Sequence, residues 1–189
     1  MAEQLDGKRP LTVLAGPYGH PFHPVLVTVP IGAWVASLVF DIASHVVDRP
    51  GFLTQASEWL IGIGVLGALA AATFGLMDLL TIPRGTPAFT TGRIHAGLNL
   101  AVTVAYVVNF LWRHNDYTQG DAVSGGPLLL SVVSLLVLSA SGWLGGKLSY
   151  HYGVRVADEA TQAEGFTRNG SRITEPGART AQPGRGRRP

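Results

Sequence analysis

Four long apolar runs dominate the chain, at about residues 24–47, 57–82, 94–112 and 127–150. Each approaches or exceeds the roughly 20 apolar residues that a helix needs to cross a bilayer. The first carries one charge, Asp41. The second is uncharged from Trp59 to Met77 and then meets Asp78. The third has His95 and Asn99 near its start, and the fourth is uncharged until Lys147. Between the runs lie DRPG, IPRGTP and GDAVSGGP. Their prolines and glycines end one helix and begin the next. The pattern predicts an all-α fold, a four-transmembrane-helix bundle with a disordered C-terminal tail.

Composition sharpens this reading. Of 189 residues, 47% are hydrophobic and only 14% charged, against the ~25% charged residues of a soluble domain. The charges gather at the chain ends and in the joints. Residues 1–15 are expected to form an N-terminal segment, residues 16–156 the membrane domain and residues 157–189 a tail. That tail holds too few apolar groups to offset the entropy of ordering. Its GRGRR ending is read as a solvated terminus. The first run is preceded by a polar stretch and is too long for a signal-peptide core, so it is read as a retained helix.

Lysine and arginine set the expected orientation. Four spans put both termini and the second joint on one side. That side collects all of the 14 Lys and Arg residues except Arg49 and Arg113. Near the spans the ratio is six to two. The positive-inside rule then places both termini in the cytoplasm and the protein in the inner membrane as a multi-pass chain.

There is no cysteine, which excludes disulfides, thiolate metal sites and cysteine nucleophiles. No phosphate-binding glycine loop, serine elbow or basic folded surface is present. Hydrolase, nucleotide-binding and nucleic-acid functions find no support, and no catalytic residue is assigned.

The candidate chemistry lies in the histidines. GHPFHP places His20 and His23 at the mouth of the first run. In the expected topology Asp78, His95 and His151 come to the same end of the bundle. On the third helix His95, Asn99, Thr103 and Tyr106 form one stripe. A polar stripe in a membrane helix faces its neighbours, because lipid cannot hydrogen-bond it. On the second helix Gly64, Ala68, Ala71, Gly75 and Asp78 share a face that allows close approach. The fourth helix offers small faces through Gly142 with Gly146 and Ser141 with Gly145. His23 and Asp41, five turns apart, share a face of the first. At the far end, Asp41 and His45 are spaced to pair, and His45 and His114 are read as interfacial residues.

Four motifs carry a resemblance: GHPFHPVLVTVPIG, GLMDLLTIPRGT, RIHAGLN and SGWLGGKLSYHYGVRV. Over about residues 15–156 the chain resembles the bacterial four-helix membrane family catalogued as domain of unknown function twenty-two thirty-one. The resemblance implies a fold class and a set of positions, His20, His23, Asp78, His95, Asn99, Gly145, Gly146, Tyr150 and Gly153, rather than a reaction. Relatives often carry a histidine just before that last glycine, where this chain has Tyr152 preceded by His151. Some relatives are fused to Rieske-type domains, an associational pointer to membrane redox work.

Three readings follow. In the first, His23 and His95 hold haem b, with Gly97 and Gly145 making room for a flat macrocycle. Alternatively His20, His23, Asp78 and His95 bind a divalent metal. Asn99 and His151 support such a site from outside. The partners would be the lipid bilayer and a redox or other membrane protein, with the oligomeric state left open. In the second, the His/Asp cluster is a buried hydrogen-bond network in a structural or assembly protein, with His23 donating to Asp78. In the third, Asp78, His95 and the polar stripe relay protons. No inverted repeat is visible to support a full transporter.

Overall fold

The computed structural model describes residues 7–17, 19–115 and 121–166. A 3-10 turn at Val13–Ala15 leads into four long helices: α1 (Phe22–Ser44), α2 (Gly51–Leu80), α3 (Pro87–Asn115) and α4 (Gly125–Gly146). A π-helical turn, Lys147–His151, continues α4. All four helices are long and apolar enough to cross a membrane. They extend beyond the apolar runs because hydropathy marks only the lipid-facing middle, whereas interfacial turns keep helical hydrogen bonds with polar side chains. Leu66, Leu100 and Leu136 lie largely uncovered on the outer surface, as expected for lipid-facing positions.

Local chemistry shapes the helix ends. Pro24 sits in the first turn of α1, where its missing N–H costs little. Pro30 cannot donate to Leu26, and α1 breaks at Val27 between its short first segment and its long second one. Gly85 turns the chain between α2 and α3 with φ 81°, a value that favours glycine. Thr86 Oγ1 accepts from Phe89 N at 3.1 Å and caps α3. A separate C-terminal unit begins at Asp158. Within the segment expected to be disordered it forms a short helix, α5 (Glu159–Glu164), capped by the Asp158 carboxylate on Thr161 N. Residues 167–189 of that expected tail lie outside the described residues, as do residues 1–6.

In the bundle α1 packs on α2, α2 on α3, α3 on α4 and α4 back on α1. Helices α1 and α3 therefore face each other across the interior, where long side chains bridge them. Trp34 and Tyr106 stack at the centre, with ring centroids 4.1 Å apart and planes 9° from parallel. Ile61 and Val102 complete the buried core around them.

At one end Asp41 and Arg113 form a bidentate ion pair, both contacts 2.7 Å, with both side chains almost fully buried. Arg113 Nε donates to Asn109 Oδ1 at 2.7 Å, and Nη1 reaches Ser57 Oγ at 3.1 Å. By spacing alone Asp41 can pair with His45, and Arg113 counts beside Arg49 on the side opposite the termini. Arg113 lies within α3 and takes Asp41 instead of leaving it to His45, because the planar guanidinium matches a carboxylate with two hydrogen bonds, which imidazole cannot do. His45 is exposed, and the exposed His114 meets Glu58 at 3.1 Å.

These contacts share one offset, as contacts along two parallel helices in a fixed register must. Asp41 and Arg113 are 72 residues apart. The same offset relates His23 to His95, Trp34 to Tyr106 and Ser37 to Asn109. The two helical hairpins, α1–α2 and α3–α4, also match in their own contacts, since Trp34 Nε1 donates to the Ile61 carbonyl and Tyr106 Oη to the Ser131 carbonyl, which relates them as pseudo-two-fold partners with α1 parallel to α3. This is a parallel repeat rather than an inverted one.

Removing one partner of a buried ion pair strands the other charge. Asp41→Ala and Arg113→Ala should each destabilise the detergent-solubilised protein by about 3–5 kcal/mol, and the double variant by clearly less than the sum. Thermal or denaturant unfolding of the three variants checks this. Gly64 tests the packing: a Cβ there would lie 2.2 Å from Trp34 Nε1, whereas one on Gly142 meets nothing within 4 Å. Gly64→Ala should cost about 1–3 kcal/mol by overpacking, while Gly142→Ala should be neutral or stabilising by up to about 1 kcal/mol.

Candidate functional site

At the end of the bundle that carries the termini, the repeat brings two histidines together. His23 comes from the first segment of α1 and His95 from α3. Their ring centroids are 6.3 Å apart and their planes nearly perpendicular, at 88°. Each ring is also tied to the second helix of its own hairpin. His23 Nδ1 lies 2.9 Å from the carbonyl of Ala71 on α2. His95 Nδ1 lies 2.8 Å from the carbonyl of Ser141 on α4.

A carbonyl only accepts, so each Nδ1 carries the ring hydrogen and each Nε2 is left as a lone pair. Glycine makes this approach available one turn further along. A Cβ on Gly75 would sit 2.9 Å from the His23 ring, and one on Gly145 would sit 3.1 Å from the His95 ring. The two hairpins therefore repeat one device: a ring laid against a glycine, with its Nδ1 on the carbonyl four residues earlier.

Asn99 and Ser141 complete the second copy. Asn99 Nδ2 donates to the His95 carbonyl and to Ser141 Oγ, both at 2.9 Å. Asn99 Nδ2 also lies 3.2 Å from His95 Nε2, so the amide borders the lone pair of that ring. Thr103 Oγ1 donates to the Asn99 carbonyl at 2.8 Å. The polar stripe of α3 continues inward to Tyr106, Asn109 and Arg113, all buried.

The other expected site residues lie apart from this pair. Asp78 meets Arg155, with Nε 2.8 Å from Oδ1, so the carboxylate is held by a guanidinium rather than by His23. Its claim on a metal is correspondingly weakened. His20 is exposed at the mouth of α1. His151 is exposed within the π-helical turn, and its ring packs on Tyr152 at 4.8 Å. Among the described residues no three His, Asp or Glu side chains come together as a group able to hold a metal ion. Gly97 does not border the rings, since a Cβ there meets nothing, whereas Gly145 does. The small face of α4 turned inward is Ser141 with Gly145.

Sequence reasoning missed Arg155 as the partner of Asp78, and Arg113, Trp34 and Tyr106 as the contacts that align α1 with α3. The available signal was the matched spacing, since 11, 14 and 18 residues after each histidine stand Trp34, Ser37 and Asp41 in one case and Tyr106, Asn109 and Arg113 in the other.

A protein-family model described as "Predicted membrane protein (DUF2231)" matches residues 19–158, which span all four long helices and both histidines. No curated protein and no solved structure matches the chain.

The tautomers can be measured. Nitrogen NMR of histidine-labelled protein in detergent should find His23 and His95 both protonated on Nδ1 when neutral, with Nε2 free of hydrogen. An Nε2–H tautomer at either position would contradict the hydrogen bonds to Ala71 and Ser141.

Proposed function

We propose, for a chain that belongs to this family of predicted membrane proteins, that His23 and His95 are the two axial ligands of one haem b and that the protein carries electrons within the membrane. The observation behind this reading is the matched tautomers. Two imidazoles on facing helices both give Nδ1–H to a carbonyl, the arrangement that orients a metal-binding histidine and raises its basicity. Their spacing fits as well. With metal–nitrogen bonds of about 2 Å and a nitrogen about 1 Å from its ring centre, two rings that share one metal have centres about 6 Å apart. The observed separation is 6.3 Å.

Ligand number favours haem over a bare ion. A free divalent metal asks the protein for three or four donors, and Asp78 is engaged by Arg155. Haem brings four nitrogens of its own and asks for only two. When bound, it supplies a one-electron iron couple. The chain's own residues fix the two rings, which the helices leave half-buried. Asn99 and Ser141 steady His95.

The same reading puts the site on the cytoplasmic side of the inner membrane. Lys8, Arg9, Arg84, Arg93 and Lys147 lie at the terminal end, with Arg49 opposite. Arg113 and Arg155 are buried in ion pairs and add little to that balance. A second reading, in which the cluster is structural, is favoured by the bonds to Ala71 and Ser141, because they also staple each hairpin without any ligand.

A reduced-minus-oxidised absorption spectrum of detergent-purified protein, expressed with haem supplied, separates the two. We expect sharp reduced-state bands that vanish in His23→Ala and His95→Ala and persist in His45→Ala and His114→Ala. Haem retained by the His95 variant would overturn the assignment. Wild-type protein that takes up no supplied haem would leave the structural reading.

A further inference from the structure

The two-histidine pocket is symmetric to first order, but its surroundings are not. One helical turn beyond Gly75 stands Asp78, while the corresponding position beyond Gly145 is Leu148. Asp78 is paired with Arg155, so an acid–base pair flanks one histidine only. Arg155 is 6% exposed and holds a positive φ of 58°, a conformation that non-glycine residues rarely adopt. Its Nη2 donates to the carbonyls of Ala15 and Gly16, each at 3.1 Å. Its Nε faces Asp78. Nε and Asp78 Oδ1 meet at ion-pair distance without hydrogen-bond geometry, and Nη1 is buried with no hydrogen-bond partner and no ion-pair partner among the described residues. A buried guanidinium N–H without an acceptor is costly enough to require an explanation.

We propose that Nη1 of Arg155 takes a carboxylate of the bound haem and thereby fixes which way round the macrocycle sits. The proposal rests on the two-histidine reading above. Gly75 touches the His23 ring, and Asp78 follows it by one turn on the same face of α2, so the guanidinium lies beside the proposed site toward the end of the helix. Haem b has both carboxylates on one edge. A pocket made by pseudo-two-fold related histidines accepts that edge in either direction, and an open donor on one side removes the ambiguity. Asp78 and the two carbonyls hold the guanidinium from its other sides, as a planar fork allows. Lys8 adds positive charge to this end, with Nζ 3.3 Å from where a Cβ on Gly153 would be.

The test compares haem b with its dimethyl ester, which keeps the iron and the macrocycle but has no carboxylate. Both are titrated into the haem-free full-length protein in detergent and followed by absorption. Wild type should bind haem b about tenfold more tightly or better, the scale of one charge-assisted hydrogen bond. Arg155→Gln should bring the ratio close to one while keeping the six-coordinate spectrum, and Arg155→Lys should restore part of it. Equal affinity of wild type for the two compounds would overturn the proposal, and needs no variant to fold. A ratio unchanged in Arg155→Gln would do the same. Arg155-dependent stabilisation of haem-free protein by phosphatidylglycerol, without preference for the free acid, would assign Nη1 to lipid phosphate instead. Failure of both compounds to give a six-coordinate spectrum would defeat the two-histidine reading itself, and this proposal with it.

Discussion

Asp41 and Arg113 meet as a buried ion pair inside a bundle whose outer surface is apolar. Either left buried without the other would be an uncompensated charge, so neither can leave the other. Their two parallel hydrogen bonds, with Asn109 and Ser57 on the remaining donors, fix one register of α1 against α3. Sliding either helix by a turn would break the pair and strand both charges. That register stacks Trp34 on Tyr106 in the middle. Five turns from the ion pair on both helices, it brings His23 to His95.

The two ends of this axis are built from opposite chemistry. At the Asp41–Arg113 end the donors of the guanidinium are matched by acceptors, which makes it a lock. At the histidine end the Nδ1 atoms are satisfied by backbone carbonyls and the Nε2 atoms carry lone pairs. Half-buried rings held by one nitrogen, with a lone pair on the other, are how a protein prepares ligands in advance. Beside them lies a guanidinium with an unused donor. The haem reading joins these features, because one group would use both lone pairs and, through its acidic edge, that donor.

Much of the fold was legible in the sequence because lipid imposes a simple rule: every backbone polar group must be satisfied within the helix. Apolar length alone therefore located the four helices. The inward faces of α2 and α3 were readable for the same reason, through Gly64, Ala71 and Gly75 and through His95, Asn99 and Tyr106. The partners of charged residues were not. Arg113 stands at the end of an apolar run, where hydropathy cannot distinguish a joint from a buried ion. Asp78 was near the histidines in sequence logic, but Arg155 comes from beyond α4 through a positive-φ turn that no periodicity announces. The repeat escaped because its halves are complementary rather than alike. Aspartate answers arginine and tryptophan answers tyrosine, so among these positions the histidines and the glycines against them, Gly75 and Gly145, are what look the same on both sides.

In the proposed site His23 and His95 would hold one iron between them. Electron–nuclear double resonance on ferric, haem-loaded protein labelled with nitrogen-15 at histidine tests it most directly. Low-spin iron coupled to two histidine nitrogens is expected, one of them lost in His23→Ala and the other in His95→Ala. A spectrum with a single histidine nitrogen, or with two that survive both substitutions, would contradict it.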